Sequence, residues 1–498
     1  MKTLNWNRIL FTLICLTFPL ALTIGNASAS RTLQGEADFA AIDAYVEAQR
    51  NDLGIPGMAL GMVQDGQIAH LQGFGVADSS GRAVTPQTPF YIASVTKSFT
   101  ALAIMQLVEA GKIDLDAPVQ KYLPWFELAD KETSEKITVR NLLNHTTGIS
   151  TIDGNRFLSS QEGLEETVRG LNSIQLYNPV GTTFQYSNLN YIIAGLIVEK
   201  VSGLSFADYV TQHIFNPLGM RHSYASRAPA LADGLAKGHH YMFGHAFERE
   251  YAVPPAGVSE GYLIASVEDM THFLIANLSD GRYGDTSVLS AQGIAELHSP
   301  AVPAGGDTQY AMGWGVSTLD DKPIVWHTGD SGHFHSVVIL MPDRGSGFVL
   351  LANASGFEQL EQVDGIAMGV FSLLNGKVPA PFSLPGKSRF LYWAILLTPL
   401  LMILGIVYSW RYWRNKGIAH ILLTVLLYSG VALIWLFAVP RLTNSPIWSG
   451  LLVIHPEVAY SLIVGVMLGI GWSVSYTVMN LRSRRMNAAM NTSVKIDI

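Results

Sequence analysis

Cysteine is all but missing from this sequence: its 498 residues include one, Cys15. Cys15 falls in the apolar run 9–24, which follows Lys2 and Arg8 and precedes Ala27-Ser28-Ala29, a pattern that predicts an export signal over 1–29 ending in a signal-peptidase site. Leu13 and Ile14 stand before it where a bacterial lipoprotein signal would need a small residue. An exported chain that has lost this segment forms no disulfide and does no thiol redox chemistry. Its stability has to come from a sizeable core, which several hundred residues can supply. Basic runs are lacking except in short clusters near the C-terminus, and the formal net charge is −7, which excludes nucleic acid as a partner. H-E-x-x-H is absent, and neither a cysteine nor a paired acid accompanies His239, His240 and His245 in GHHYMFGH. That stretch reads as a polar loop near a cleft, and no metal or other cofactor is expected. There is no internal repeat and no low-complexity tract.

Charge is missing altogether from 390–410, 418–439 and 458–479, which contain no Asp, Glu, Lys or Arg. Each is long enough to cross a bilayer core of about 30 Å, so three membrane helices are predicted within 389–481. Arg411, Arg414 and Lys416 follow the first stretch and Arg482, Arg484 and Arg485 the third, whereas the loop between the second and third has only Arg441. The basic clusters belong in the cytoplasm, with a tail at 482–498, and the chain before residue 389 belongs outside. Export of the N-terminal portion followed by an odd number of spans gives the same topology. His420 is the nearest thing to an ionisable group within the spans, which argues against a transporter.

Between the signal and the Pro- and Gly-bearing linker 376–388, residues 30–375 suit one two-lobed enzyme domain. A helix over 39–51 is followed by two alternating runs around Asp65-Gly66, a hairpin signal. The middle, from about 94 to 300, is mostly helical, with helices stopped by Gly111 and Gly203. After 310 the pattern returns to short strands and closes with a helix near 359–374. Sheet, helices, then sheet predicts an α+β domain whose helical middle is inserted between halves of one antiparallel sheet. The site is expected where the two lobes meet. His333 and His335 alternate on a strand and read as one exposed face, while Trp314 and Trp326 read as core or cleft wall.

Within YIASVTKSFT, Ser94 and Lys97 share a face at the start of a helix. The unpaired N–H groups of a first turn can be aimed at an oxyanion, and a lysine at i+3 lowers the energy of an alkoxide. An S-x-x-K pair alone is a weak signal. FQYSNLNY adds Tyr186 and Asn188, and VWHTGDSGH adds a strand ending in His327-Thr328-Gly329, where glycine lets a substrate backbone lie against the strand edge. Ser-x-x-Lys, Tyr-x-Asn and His-Thr-Gly in this order resemble the serine β-lactamase-related, penicillin-binding hydrolases. The nearer branch is that of class C β-lactamases, DD-carboxypeptidases, D-aminopeptidases and related esterases. LLNHTTGIS, NPVGTTFQYSNLNYIIAGLIVEKVSG and YAMGWGV are similar to that branch too, and the resemblance covers roughly residues 38–375.

The resemblance implies a β-lactamase/transpeptidase-like fold, an antiparallel sheet flanked by helices plus a helical lobe. It makes Ser94 the acylated nucleophile, Lys97 its proton partner and Tyr186 the general base that also activates water. Asn188, His327, Thr328 and Gly329 would bind substrate, and the backbone N–H groups of Ser94 and Asp330 would form the oxyanion hole. No S-D-N and no glutamate-bearing loop of the class A kind is found, which favours the tyrosine-based mechanism. His327 stands where β-lactamases and DD-carboxypeptidases usually carry a lysine that holds a substrate carboxylate. Histidine, with an ordinary pKa near 6.5, is largely neutral at pH 7 unless an acid such as Asp330 raises it, so weak β-lactam turnover is expected. The implied function is a membrane-anchored, outward-facing serine hydrolase of a small peptide, amide or ester, cell-wall peptide among the candidates. The alternative is a penicillin-binding receptor or pseudoenzyme that binds cell-wall peptides without turnover.

Overall fold

A computed structural model describes residues 38–493, except 243, 251–252, 357–358, 381–385, 413–417 and 443–445. The export signal, the middle of the linker, Arg414, Lys416 and the last five residues of the chain lie outside the described residues.

Helix α1 (Phe39–Leu53) leads into the hairpin β1 (Gly57–Gln64) and β2 (Gln67–Gly75). A helical lobe follows, in which α2 (Thr96–Glu109), α3 (Asn188–Ser202) and α4 (Val267–Leu278) are the long members. The chain then returns to β3 (Val302–Gly305), β4 (Thr308–Tyr310), β5 (Gly315–Leu319), β6 (Lys322–Asp330), β7 (His335–Met341) and β8 (Ser346–Ala352), and closes the domain with α5 (Gln359–Leu374). These strands form one eight-stranded sheet, ordered β2-β1-β8-β7-β6-β5-β4-β3, and each pair is antiparallel. The first hairpin joins the last strand, so the helical middle is an insertion into a single sheet, and the fold is α+β and β-lactamase/transpeptidase-like.

Both faces of the sheet are covered, which explains why β1 is buried along almost its whole length and not on alternate residues only. Met58, Leu60 and Met62 point to one side with Val337, Ile339 and Leu350, against Ile42 and Val46 of α1 and Ile366, Val370 and Phe371 of α5. Ala59 and Val63 point to the other with Val338 and Leu351, against Val267, Met270 and Phe273 of α4 and the rest of the lobe. Helix α3 is apolar on every side because it is the lobe's buried centre, and it ends at Gly203 in the left-handed conformation.

Beyond the domain run α6 (Gly386–Arg411), α7 (Ile418–Leu442) and α8 (Pro456–Ser493). Tyr392–Arg411, Ile418–Leu442 and Pro456–Met486 are long and apolar enough to cross a membrane. Helices α6 and α7 both pack on α8, and Ser429 Oγ of α7 donates to Ser473 Oγ of α8 at 2.9 Å, a hydrogen bond that hydrocarbon would not replace. Helix α8 does not stop with its apolar stretch. It continues through Arg482, Arg484 and Arg485 to Ser493, so most of the expected tail is helical.

Candidate active site

Ser94 lies in a 3-10 turn, Ala93–Val95, that runs directly into α2. The preceding Ala93 has φ 45°, a left-handed conformation that costs a residue with a Cβ about 1 kcal/mol or more. One turn on, Lys97 is fully buried, with Nζ 3.2 Å from Ser94 Oγ, 2.8 Å from Asn188 Oδ1, 2.7 Å from the Glu260 carbonyl and 3.0 Å from Glu260 Oε2. The ring of Tyr186 faces the same nitrogen, its centroid 5.0 Å away. These acceptors outnumber the three N–H bonds of an ammonium. Burial on its own would lower Lys97, but the Tyr186 oxygen and the Glu260 carboxylate outweigh it and hold the lysine above its ordinary value.

Glu260, 2% exposed, is the member that sequence reasoning did not find. It comes from the segment after the turn Pro255–Ser259, far from every motif. A glutamate is thus paired with the lysine, although not on a loop of the class A kind.

Tyr186 is held from below by aromatic rings. His145 packs against it at 4.4 Å between centroids, and Phe184, Tyr191 and Tyr310 surround His145 in turn. The Ser187 N–H donates to His145 Nδ1 at 3.2 Å, so the proton of the neutral ring is on Nε2. Burial and the nearby Lys97 hold His145 well below the ordinary histidine value. This accounts for LLNHTTGIS, a block whose histidine supports the tyrosine.

Strand β6 forms the opposite bank. Its pairing with β7 runs to Asp330, whereas its pairing with β5 stops at Trp326. One edge of 327–330 is therefore without a strand partner among the described residues and open to an extended ligand. Gly329 brings this edge onto the nucleophile: a Cβ there would stand 2.6 Å from the Ile92 carbonyl and 2.8 Å from Ser94 N. His327 is buried, with Nδ1 2.6 Å from the Thr328 carbonyl and Nε2 3.2 Å from the Tyr310 hydroxyl. Burial, aided by the charge on Lys97, takes it down to about 3, so it is neutral. Asp330 does not raise it; its Oδ1 accepts from the Gly332 N–H and the Ser355 hydroxyl.

Two side readings are corrected. His333 and His335 are both buried: His333 sits in the turn after β6, and His335 faces Asp364 of α5 at 2.8 Å. GHHYMFGH is not a polar loop, since His239 and His240 are buried on the short strand His239–Met242, and His245 alone of the three is exposed. No cluster of His, Cys, Asp and Glu that could hold a metal occurs among the described residues. A cavity of about 810 Å³ lined by Asn141, Tyr177 and Asn178 lies elsewhere on the lobe, and none of the groups around Lys97 borders it.

This geometry can be set beside known proteins. The beta-lactamase family model matches residues 42–370. Protein flp of Staphylococcus aureus (strain MW2) is 28% identical over 447 residues, covering 85% of this chain and 87% of that one, a length that cannot fit within residues 1–370 and so reaches the membrane helices. The unguisins hydrolase ungD' of Aspergillus campestris (strain IBT 28561) is 29% identical over 318 residues, covering 60% of this chain and 59% of its own. The octameric penicillin-binding protein homologue from Pyrococcus abyssi superposes with a TM-score of 0.60 at 29% identity, over 72% of this chain and 82% of that one. Sheet, inserted lobe and a match across two thirds of the sequence lead to one conclusion: the chain belongs to the beta-lactamase family.

Proposed function

We propose that this protein is a membrane-anchored, extracytoplasmic serine hydrolase that forms an acyl-enzyme on a small peptide, amide or ester. The observation that carries the reading is Lys97, buried and charged, with Ser94 Oγ, Tyr186 and Asn188 all facing its Nζ. In acylation Tyr186, acting as the phenolate beside Lys97, takes the Ser94 proton as the Ser94 oxygen attacks the carbonyl, while Lys97 stabilises the developing alkoxide. The N–H groups of Ser94 and Asp330 receive the oxyanion, and the proton moves on to the leaving group. In deacylation Tyr186 takes a proton from water and Ser94 recovers its own. Asn188 and the edge 327–330 hold the substrate. The hydrolase named for unguisins among the relatives supports turnover over mere binding.

Neutral His327 supports a site that grips a substrate carboxylate poorly. Esters, and peptides recognised other than by a free C-terminal carboxylate, are then better substrates than penicillins. The basic clusters after the first and third membrane helices support a domain outside the membrane, with the boundaries taken as residues 30–375. A serine-directed phosphonate, followed by mass spectrometry, is expected to label Ser94, with labelling and ester turnover lost in Ser94→Ala. Penicillin turnover should stay well under about 10 per second. Labelling that survives Ser94→Ala would sink the assignment, and rapid penicillin hydrolysis would sink the substrate preference.

A further inference from the structure

The segment joining α7 to α8 lies on the hydrolase domain. Its turn Ile447–Leu451 packs against Arg156–Ser159. That turn follows Asn155, whose Oδ1 accepts a 3.1 Å bond from Asn188, itself a partner of Lys97. Val453 and Ile454 pack on the domain core. Ile454 also covers the turn after β6: a Cβ on Gly332 would stand 2.8 Å from the Ile454 carbonyl oxygen and 2.9 Å from its Cα, so Gly332, at φ 77°, admits no side chain. The segment thus touches both banks of the cleft, the lobe behind Asn188 and the turn behind Asp330.

One polar contact fixes this docking. Glu457, in the first turn of α8, meets His240 Nε2 at 2.6 Å, and both side chains are buried. His240 Nδ1 is 2.8 Å from the Gly332 carbonyl, which only accepts, so Nδ1 carries a hydrogen. The Nε2–Oε2 contact then holds one more proton, as imidazolium and carboxylate or as imidazole and carboxylic acid. The Gly332 N–H in turn donates to Asp330 Oδ1 at 2.9 Å. Glu457, His240, Gly332 and Asp330 form an unbroken chain from a membrane helix to the residue whose N–H is assigned to the oxyanion hole in the hydrolase reading above.

We propose that residues 446–457 are a positioning element of the catalytic centre, in which Glu457 and His240 hold the turn 330–334 and so fix the Asp330 amide; the catalytic part of this rests on the hydrolase reading above. A single span would tether the domain. The hairpin of α7 and α8 does more, because it delivers Glu457 to the cleft.

The test uses the full-length protein in lipid nanodiscs, with hydrogen–deuterium exchange across 330–335 and steady-state kinetics on an ester. Glu457→Ala and His240→Ala should each speed exchange of that turn about tenfold. Each should also lower kcat about tenfold with KM unchanged, since a misplaced oxyanion donor acts on the transition state. The double variant should be no worse than either single one. Glu457→Gln, whose amide N–H can donate to Nε2, should stay within about threefold of wild type, a rescue that a bulk packing role would not give. If an alanine variant fails to fold, Glu457→Asp, which withdraws the carboxyl by one methylene, takes its place with the same exchange expected. Unchanged exchange, losses that multiply in the double variant, or a change in KM alone would each overturn the proposal. Exchange that responds while Ser94 resists the phosphonate in wild type would leave the docking standing and remove the hydrolase reading; a labelled Ser94 with unmoved exchange would do the reverse.

Discussion

The chemistry at Lys97 depends on one carboxylate. Glu260 and Tyr186 together overcome the burial that would otherwise strip the lysine of its proton. Glu260→Gln keeps the shape and removes the charge, so the affinity of Lys97 for its proton should fall. The expected result is a loss of about tenfold in kcat/KM and a fall of about 1 unit or more in the alkaline limb of the pH–rate profile, within the range that a single opposed charge produces. A variant that is less active only in proportion to its folded fraction, with the limb unmoved, would make Glu260 a packing residue. Ser94, Lys97, Tyr186, Asn188 and 327–330 are legible in the sequence because each sits in a short motif where local spacing fixes the geometry. Glu260 is not, because it reaches Lys97 across 163 positions of sequence, from a segment with no spacing rule of its own.

Among elements, the meeting of β6 with the turn before α2 sets the distance between substrate and nucleophile. Gly329 is the contact point, flanked by Ser336, whose hydroxyl donates to the Ile92 carbonyl at 2.7 Å and ties β7 to the same turn. Gly329→Ala would place a methyl group 2.5 Å from Ser336 Oγ and 2.6 Å from the Ile92 oxygen, so strand and turn must separate. Ester kcat should fall by about 10² to 10³, the range seen on losing one oxyanion donor, and phosphonate labelling of Ser94 should slow in parallel. Activity within a few fold of wild type would show that the two elements do not need this approach. The sequence announces a glycine at a strand end and the hairpin at Asp65-Gly66, because turn chemistry is local. It does not announce that β1 is buried on both faces, nor that His335 faces Asp364, because covering a sheet on both sides is a tertiary event.

At the scale of the whole molecule, the buried histidines set the response to acid. Burial takes His298 down to about 4 and His327 and His333 to about 3, and it drives His145 well below its ordinary value. In the unfolded chain each would titrate near 6.5. Below that pH the unfolded state binds protons that the folded state refuses, so stability that is complete above about 6.5 is lost as pH falls toward 3 to 4. Two acids oppose this. Burial pushes Asp269 up to about 6, so the folded state takes up its proton first and gains stability between about 6 and its unfolded value near 4, and burial raises Glu260 in the same direction. His335 is raised by Asp364 against the effect of burial; its contribution is present below about 6.5 and lost only as pH rises, so it adds no slope in acid. Each uncompensated group is worth up to about 1.4 kcal/mol per pH unit. These four histidines, with His272 and His455 lowered by burial as well, outweigh the two acids and leave a net loss on acidification. For the full-length protein in detergent, Tm should fall by about 5 °C or more between pH 7 and pH 5. His298→Gln, which removes one of the four at a position outside the proposed catalytic group, should flatten that slope. A Tm that stays level or rises over this interval would mean that the histidines are not held neutral in the folded chain.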